Sequence, residues 1–396
     1  MRNLRKIMSK LTEVLSLKLR LLFLIKFRIK MYFEAKKYAK KYKEGTIKFL
    51  EIDGKTLSIE DLNDKKIILF VVYSPKSYLL YERYFDLLEQ LGYEIVVISN
   101  GGLPQEFIDI FKDRVIGMGE RNNIGRDFGT YKEFILSLKN KNINLKNLII
   151  CNDSIFTNLR KNDNRFAEFV NANSEKDFLG AAEYMGNPGY HVQSYFLMFS
   201  ENVLKGKNFS DFWKNFLISD DRRSNIHNGE IKLSEAILTD GFTPTIFLST
   251  DKVLDTIMSK EDNLSKLIME MSFNAHIDPA IVERIKDLYL ENNSDDSNSA
   301  IIQLNNSAIR RILSSLINKY GMIICAPFFI INEFGFPFLK RDLVYRQVTE
   351  WMEIRNMSAS FDSDLLEEYL KDQRIRKRAW NLNSLSEKLM YQTGMN

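Results

Sequence analysis

The stretch Arg121–Ser154, RNNIGRDFGTYKEFILSLKNKNINLKNLIICNDS, constrains this chain more than any other. A polar, glycine-bearing turn (Asn123, Gly125, Arg126, Asp127, Gly129) runs into residues of helical periodicity, and the apolar run Leu148–Cys151 then stops at Asn152-Asp153-Ser154. That is a turn, a helix and a strand with a carboxylate just past its end. In open α/β sheets ligands sit outside the carboxyl ends of the strands, and a helix N-terminus offers free N–H groups to anions. Both features point to a phosphorylated ligand. A carboxylate facing a diphosphate repels it unless a metal or a base neutralises one of the two. Asp153 is therefore the first candidate metal ligand; the alternative is that it caps the turn after the strand.

Upstream, Ile67–Tyr73 (IILFVVY) is a continuous apolar run, residues 76–91 carry helical periodicity up to Gly92, and Tyr93–Ile98 is a second apolar run. Buried parallel strands read this way, so strand, helix and strand form a βαβ unit. With a third strand at Arg114–Met118 and a fourth at Leu148–Cys151, the first half is a Rossmann-type α/β sheet. A dinucleotide fingerprint would place GxGxxG directly after the first strand, where this chain has YSPKSY, which argues against a nicotinamide or flavin domain.

Further on, Phe178–Ala182 reads as a strand and His191–Phe199 as one interior strand. Phe209, Phe212, Trp213 and Phe216 fall at the helical spacing of a core stripe. Asn225–Thr239 begins polar and becomes a helix with Glu230 near its start, where the helix dipole alone favours an acid. Past residue 250 the pattern is mostly helical, with a polar loop at 291–299, a compact aromatic turn at FGFPFLKRDL (334–343) and a charged helical tail at 365–389. Three parts follow: a leader (1–45), an α/β domain (46–250) and a helical C-terminal region (251–396).

Charge separates the leader from the rest. Residues 1–43 hold fourteen Lys or Arg against Glu13 and Glu34, so the leader's charge exceeds the whole-chain +4 and the remainder is net acidic. Within LSLKLRLLFLIKFRIKMYF, charges interrupt the apolar residues too often for the ~18 to 20 that a spanning helix needs. A basic amphipathic helix suits an oily, anionic surface such as the cytoplasmic leaflet; the alternative is packing on the protein's own body or a partner. Positive charge confined to the leader argues against nucleic-acid binding. Cys151 and Cys325 lie in separate apolar runs and the three histidines are scattered, which disfavours disulfides and structural zinc and fits a reducing cytoplasm.

Seven pieces in one order carry a resemblance: Asn123-Ile124-Gly125, Gly129-Thr130-Tyr131, Asn152-Asp153-Ser154, His191 to Phe196 (HVQSYF), Phe209 to Trp213, Gly229 to Ser234 (GEIKLS) and Phe336 to Arg341 (FPFLKR). Over residues 65–350 the chain resembles the rhamnan synthesis F family of bacterial glycosyltransferase-like proteins, which is in turn similar to inverting family 2 glycosyltransferases of GT-A fold. The resemblance implies a nucleotide-sugar donor, a divalent metal (Mn or Mg), a lipid-linked glycan acceptor and a peripheral, cytoplasmic place on the plasma membrane. Where those enzymes carry D-x-D or N-x-D this chain has Cys151-Asn152-Asp153, and their catalytic E-D pair falls on Gly229-Glu230.

Inverting glycosyl transfer needs a carboxylate to deprotonate the acceptor hydroxyl and a positive centre for the departing diphosphate. The resemblance assigns Glu230 as the base and Asp153 to the metal. His191 either completes the metal shell or holds a phosphate, or is a buried histidine bonded to backbone. Arg126 pairs with a phosphate, or with Asp127 or another acid. Donor contacts are expected from Asn123, Gly125, Arg126, Asp127, Asn152 and Gln193, and by position from Tyr73 and Ser99 at strand ends. A non-catalytic glycan- or partner-binding subunit is the competing expectation.

Overall fold

The computed structural model describes residues 46–371 apart from 76, 188, 294–297, 342, 344–347 and 350, together with positions 25, 26, 29, 32, 33, 36 and 37. Most of the leader and the tail beyond 371 thus lie outside the described residues. At the leader positions that are described, Ile25, Ile29, Tyr32 and Phe33 are helical, exposed and spaced to share one face.

Thirteen strands are described in chain order: β1 (Lys48–Phe49), β2 (Glu51–Ile52), β3 (Lys55–Thr56), β4 (Lys66–Val72), β5 (Glu94–Ser99), β6 (Gly117–Glu120), β7 (Asn147–Asn152), β8 (Ile155–Phe156), β9 (Phe178–Tyr184), β10 (His191–Val192), β11 (Phe196–Ser200), β12 (Pro244–Leu248) and β13 (Leu339–Lys340). Nine of them form one sheet in the order β1-β6-β5-β4-β7-β11-β9-β10, with β12 also on β9. β6, β5, β4 and β7 are parallel; β11 runs antiparallel to β7 and β9, and β12 parallel to β9. From β4 the chain moves outward to β5 and β6, then returns through the Arg126–Asn140 helix to β7 on the other side of β4. The strand order therefore reverses between β4 and β7, and a crevice opens at their carboxyl ends.

β4 is apolar throughout because both its faces are covered. Ile68, Phe70 and Val72 join a cluster with Phe85, Phe107 and Phe111, while Ile67, Leu69 and Val71 pack with Tyr131, Phe134, Trp213 and Ile237. The first cluster continues without a break into Ile285, Leu316 and Phe329 of the C-terminal helices, so the region after 250 packs on the sheet itself.

The expected strands at 67–73, 93–98 and 148–151 and the helix after Gly125 are present within a residue or two. The third strand lies later, at Gly117–Glu120, after a tight 3-10 turn at Lys112–Arg114. His191–Phe199 is two strands, not one: between β10 and β11 the Ser194 N–H donates to Glu230 Oε1 (3.3 Å) in place of a ladder bond. The aromatic turn at FGFPFLKRDL contains β13, which pairs antiparallel with β8, Leu339 opposite Phe156 and Lys340 opposite Ile155.

Candidate functional site at the β4–β7 crevice

The turn into the Arg126–Asn140 helix is shaped by two glycines. Gly125 has φ +79, and a Cβ there would lie 2.1 Å from Ile218 Cγ2; one on Gly129 would lie 2.1 Å from the Ile124 carbonyl oxygen. Arg126 is held at φ +52, a costly conformation for a residue with a side chain. Its guanidinium is exposed and makes no hydrogen bond or ion pair with the described residues. The Gly125 amide is taken by Asp220 Oδ1 at 2.6 Å, an acid that nothing in the sequence brings here. Asn123 is exposed beside this turn.

Asp153 follows β7 and closes the crevice from one side. Its Oδ2 accepts from the Tyr73 backbone N–H (3.0 Å) and the Tyr81 hydroxyl (2.6 Å), and lies 3.4 Å from Arg341 Nη1, which also donates to the Asp153 carbonyl (3.0 Å). Burial, then Asp153, hold the Tyr81 hydroxyl well above its ordinary range, so it stays a donor. The register of β13 on β8 explains Arg341: one step past Lys340 opposite Ile155, it comes level with the turn that holds Asp153.

Glu230 comes from a separate element, near enough to Asp127 to act on its carboxyl. It lies in a π-helical segment, Asn225–Ile231, that continues a short turn Arg222–Ser224 and runs on into the Lys232–Thr239 helix. Because Glu230 is not in the first turn of a helix, the dipole does not account for it, and π-segments recur at functional sites. Its Oε1 accepts from Ser194 Oγ (2.6 Å), and His191 Nε2 lies 3.5 Å from Oε2. His191 Nδ1 is 3.0 Å from the Gly189 carbonyl oxygen; an acceptor there fixes the proton on Nδ1 and leaves Nε2 facing the carboxylate.

Asp127 lies within electrostatic reach of both Asp153 and Glu230. Its carboxyl is pushed up to about 7, first by loss of water, then by Asp153 and Glu230, with Arg126 opposing. The folded protein thus keeps a proton that the unfolded chain, with an ordinary carboxyl near 3.8, releases. Stability is expected to fall as pH rises from about 4 to about 7, and to fall less in Asp127→Asn; equal slopes in urea titrations of the two proteins would refute it. Buried Glu270, also pushed up to about 7, leaves a residual slope of the same sign.

Other expected contacts sort by exposure. Tyr73 is 57% exposed at the end of β4, with its ring against Gly101, and Gln193 is half-buried with no bond from its side chain to the described residues. Ser99 is buried and spent locally, donating to Gly102 O (2.8 Å) and accepting from Gly101 N–H (3.2 Å), so it shapes the loop and does not reach a ligand. Asn152 is buried too, with Nδ2 on Tyr131 Oη (3.2 Å) and Oδ1 on Ser154 N–H (3.0 Å). Tyr81, Ser194, Lys340 and Arg341 were not singled out individually; the last two lie in the FPFLKR piece, whose basic pair was the available signal.

The two residues expected to share a divalent cation have different partners. The bonded oxygen of Asp153 already has two donors and a guanidinium, an arrangement that does not suit a cation, while His191 lies against Gly189 and Glu230. Among the described residues no group of three or more His, Cys, Asp or Glu side chains is arranged to hold a metal. What the site offers is the Glu230 carboxylate and a guanidinium paired with Asp153.

Among known proteins, the uncharacterized protein y4gN of Sinorhizobium fredii (strain NBRC 101917 / NGR234) is 29% identical over 203 residues, 49% of this chain and 51% of that one. The chain thus spans about half the length of the curated relative it matches. A solved chain from Desulfovibrio desulfuricans G20, with the provisional name nucleotide-diphospho-sugar transferase, aligns at a TM-score of 0.29 and 14% identity over 63% of this chain and 98% of its own. Residues 95–270, which hold the Gly125 turn, Asp153, His191 and Glu230, match the family model of Rhamnan synthesis protein F.

Proposed function

We propose that this chain is an inverting glycosyltransferase that moves a hexose, rhamnose by the family's name, from a nucleotide-sugar donor to a lipid-linked glycan of a cell-surface polysaccharide. The observation that carries the reading is that the Asp153–Arg341 pair, at the carboxyl end of β7 where the strand order reverses, and the Glu230 carboxylate both lie close enough to Asp127 to raise its carboxyl. The acceptor oxygen attacks the anomeric carbon, its proton passes to Glu230, and the bond from that carbon to the phosphate oxygen breaks with its electron pair leaving on the diphosphate. Tyr73 offers an exposed ring to the nucleobase, and Arg126 an exposed guanidinium to the donor phosphates.

The leader extends the reading to the membrane. Among the described residues no helix is long and apolar enough to cross a bilayer. The exposed face of Ile25, Ile29, Tyr32 and Phe33 amid many Lys and Arg suits the surface of an anionic leaflet on the cytoplasmic side.

Calorimetric titration with thymidine, uridine and guanosine diphosphates tests the donor half, and cosedimentation with phosphatidylserine vesicles at low and high salt tests the membrane half. One nucleotide is expected to bind, and vesicle binding to weaken with salt. A protein that binds no nucleoside diphosphate is a non-catalytic glycan- or partner-binding subunit instead.

A further inference from the structure

Resting on the donor-site reading above, we propose that the guanidinium of Arg341, seated on the Asp153 carboxylate, takes the part of a divalent cation at the donor diphosphate. Arg341 comes from a strand far along the chain and is delivered by backbone pairing to the end of β7, where the strand order reverses. Its described partners include the Asp153 carbonyl, Asp153 Oδ2 and the Phe156 ring, whose centroid lies 5.4 Å from Cζ. Its side chain is 14% exposed and that of Asp153 12%. A charge so shielded from water acts more strongly on a ligand than one in solution, and a planar fork suits phosphate oxygens.

The pairing changes what Asp153 does. A bare carboxylate beside a diphosphate requires a metal, but one whose charge is met by Arg341 does not repel the donor and orients the guanidinium instead. Lys340, the preceding residue, sets its Nζ 5.2 Å from the centroid of the Tyr195 ring. As the bond from the anomeric carbon to phosphate breaks, charge grows on the leaving phosphate oxygen, and the N–H groups of Arg341 donate to it.

Titration of the full chain with the same three nucleoside diphosphates, in EDTA and in magnesium or manganese, reads this directly. The expected result is binding of equal strength in both buffers. Arg341→Gln is expected to weaken it about tenfold or more in either, the usual worth of a charged hydrogen bond, and Arg341→Lys by less. Asp153→Asn is expected to bind at least as tightly as the unaltered protein, because the guanidinium loses its competitor; a metal site requires the opposite. Binding that appears only with metal, that Asp153→Asn abolishes, or that Arg341→Gln leaves unchanged overturns the proposal and leaves the donor site standing. Should Arg341→Gln fail to fold, the comparison of buffers and Asp153→Asn decide. Absence of binding in every buffer overturns the donor-site reading, and this inference falls with it.

Discussion

Glu230→Gln is expected to lower the turnover rate by roughly 100- to 10,000-fold while leaving nucleotide affinity unchanged, since a general base contributes about that much to the chemical step alone. Glutamine keeps the size and the acceptor oxygen that Ser194 Oγ bonds at 2.6 Å, so the local fold survives and the lost property is proton uptake. His191 stands behind the same group: its Nδ1–H is spent on the Gly189 carbonyl and its Nε2 lies 3.5 Å from Oε2, so the ring bounds that oxygen by packing and does not donate to it. Ser194→Ala is accordingly expected to cost far less than Glu230→Gln. Asp127 is the comparator, because a carboxyl pushed up to about 7 also has the acidity that a general base uses near neutral pH. If Glu230→Gln retains more than about a tenth of the rate and Asp127→Asn loses the larger factor, the base is Asp127 and the role given to Glu230 is wrong.

The frame of the candidate site was legible in the sequence, and the polar contacts that fill it were not. Strands β4, β5 and β7 were legible because both faces of a parallel sheet are covered, which writes each strand as an unbroken apolar run such as IILFVV. The turn before the Arg126–Asn140 helix was legible for a related reason. Gly125 and Gly129 are required by backbone geometry and close approach, and such needs leave a mark in the sequence. Asp153 was therefore found where the strand ends, and its neighbours were not.

Arg341 is bonded to Asp153 across 188 positions of chain, and no local pattern encodes a partner that distant. The same holds for Asp220 on the Gly125 amide. The π-segment around Glu230 has its own cause of illegibility, since a π-segment differs from an α-helix in which carbonyl each amide reaches, not in the residue types that NIHNGEI displays. The break between β10 and β11 is also a tertiary effect: a backbone amide left the ladder to bond a carboxylate on another element. In each case the apolar pattern set the sheet, and polar contacts between distant segments built the site upon it.

The largest effect on stability is expected at a pair of residues that touch no substrate. Arg121 and Glu133 are each 1% exposed at the side chain, with Nε 3.2 Å from Oε2. Arg121 donates to the Ile124 carbonyl through both Nη1 and Nη2 (3.1 Å each) and to Asn100 Oδ1 (3.1 Å), while Glu133 accepts from Ile47 N–H (2.6 Å) and Thr46 Oγ (2.7 Å). The pair thus ties the residue before Gly125 to the edge of the sheet, and a Cβ on Gly129 would come within 3.0 Å of Arg121 Nη1. Removing one member leaves a buried charge without its partner, so Glu133→Ala or Arg121→Ala is expected to cost about 3–5 kcal/mol in urea unfolding. The double replacement Arg121→Met with Glu133→Leu removes both charges at once and is expected to cost less than either single change. It still strips the Ile124 carbonyl of its donors, so the turn that carries Arg126 loosens and nucleotide affinity falls even where stability recovers. A Glu133→Ala protein that loses less than about 1 kcal/mol would show that the pair is solvated in solution, and the turn would then owe its shape to the glycines alone.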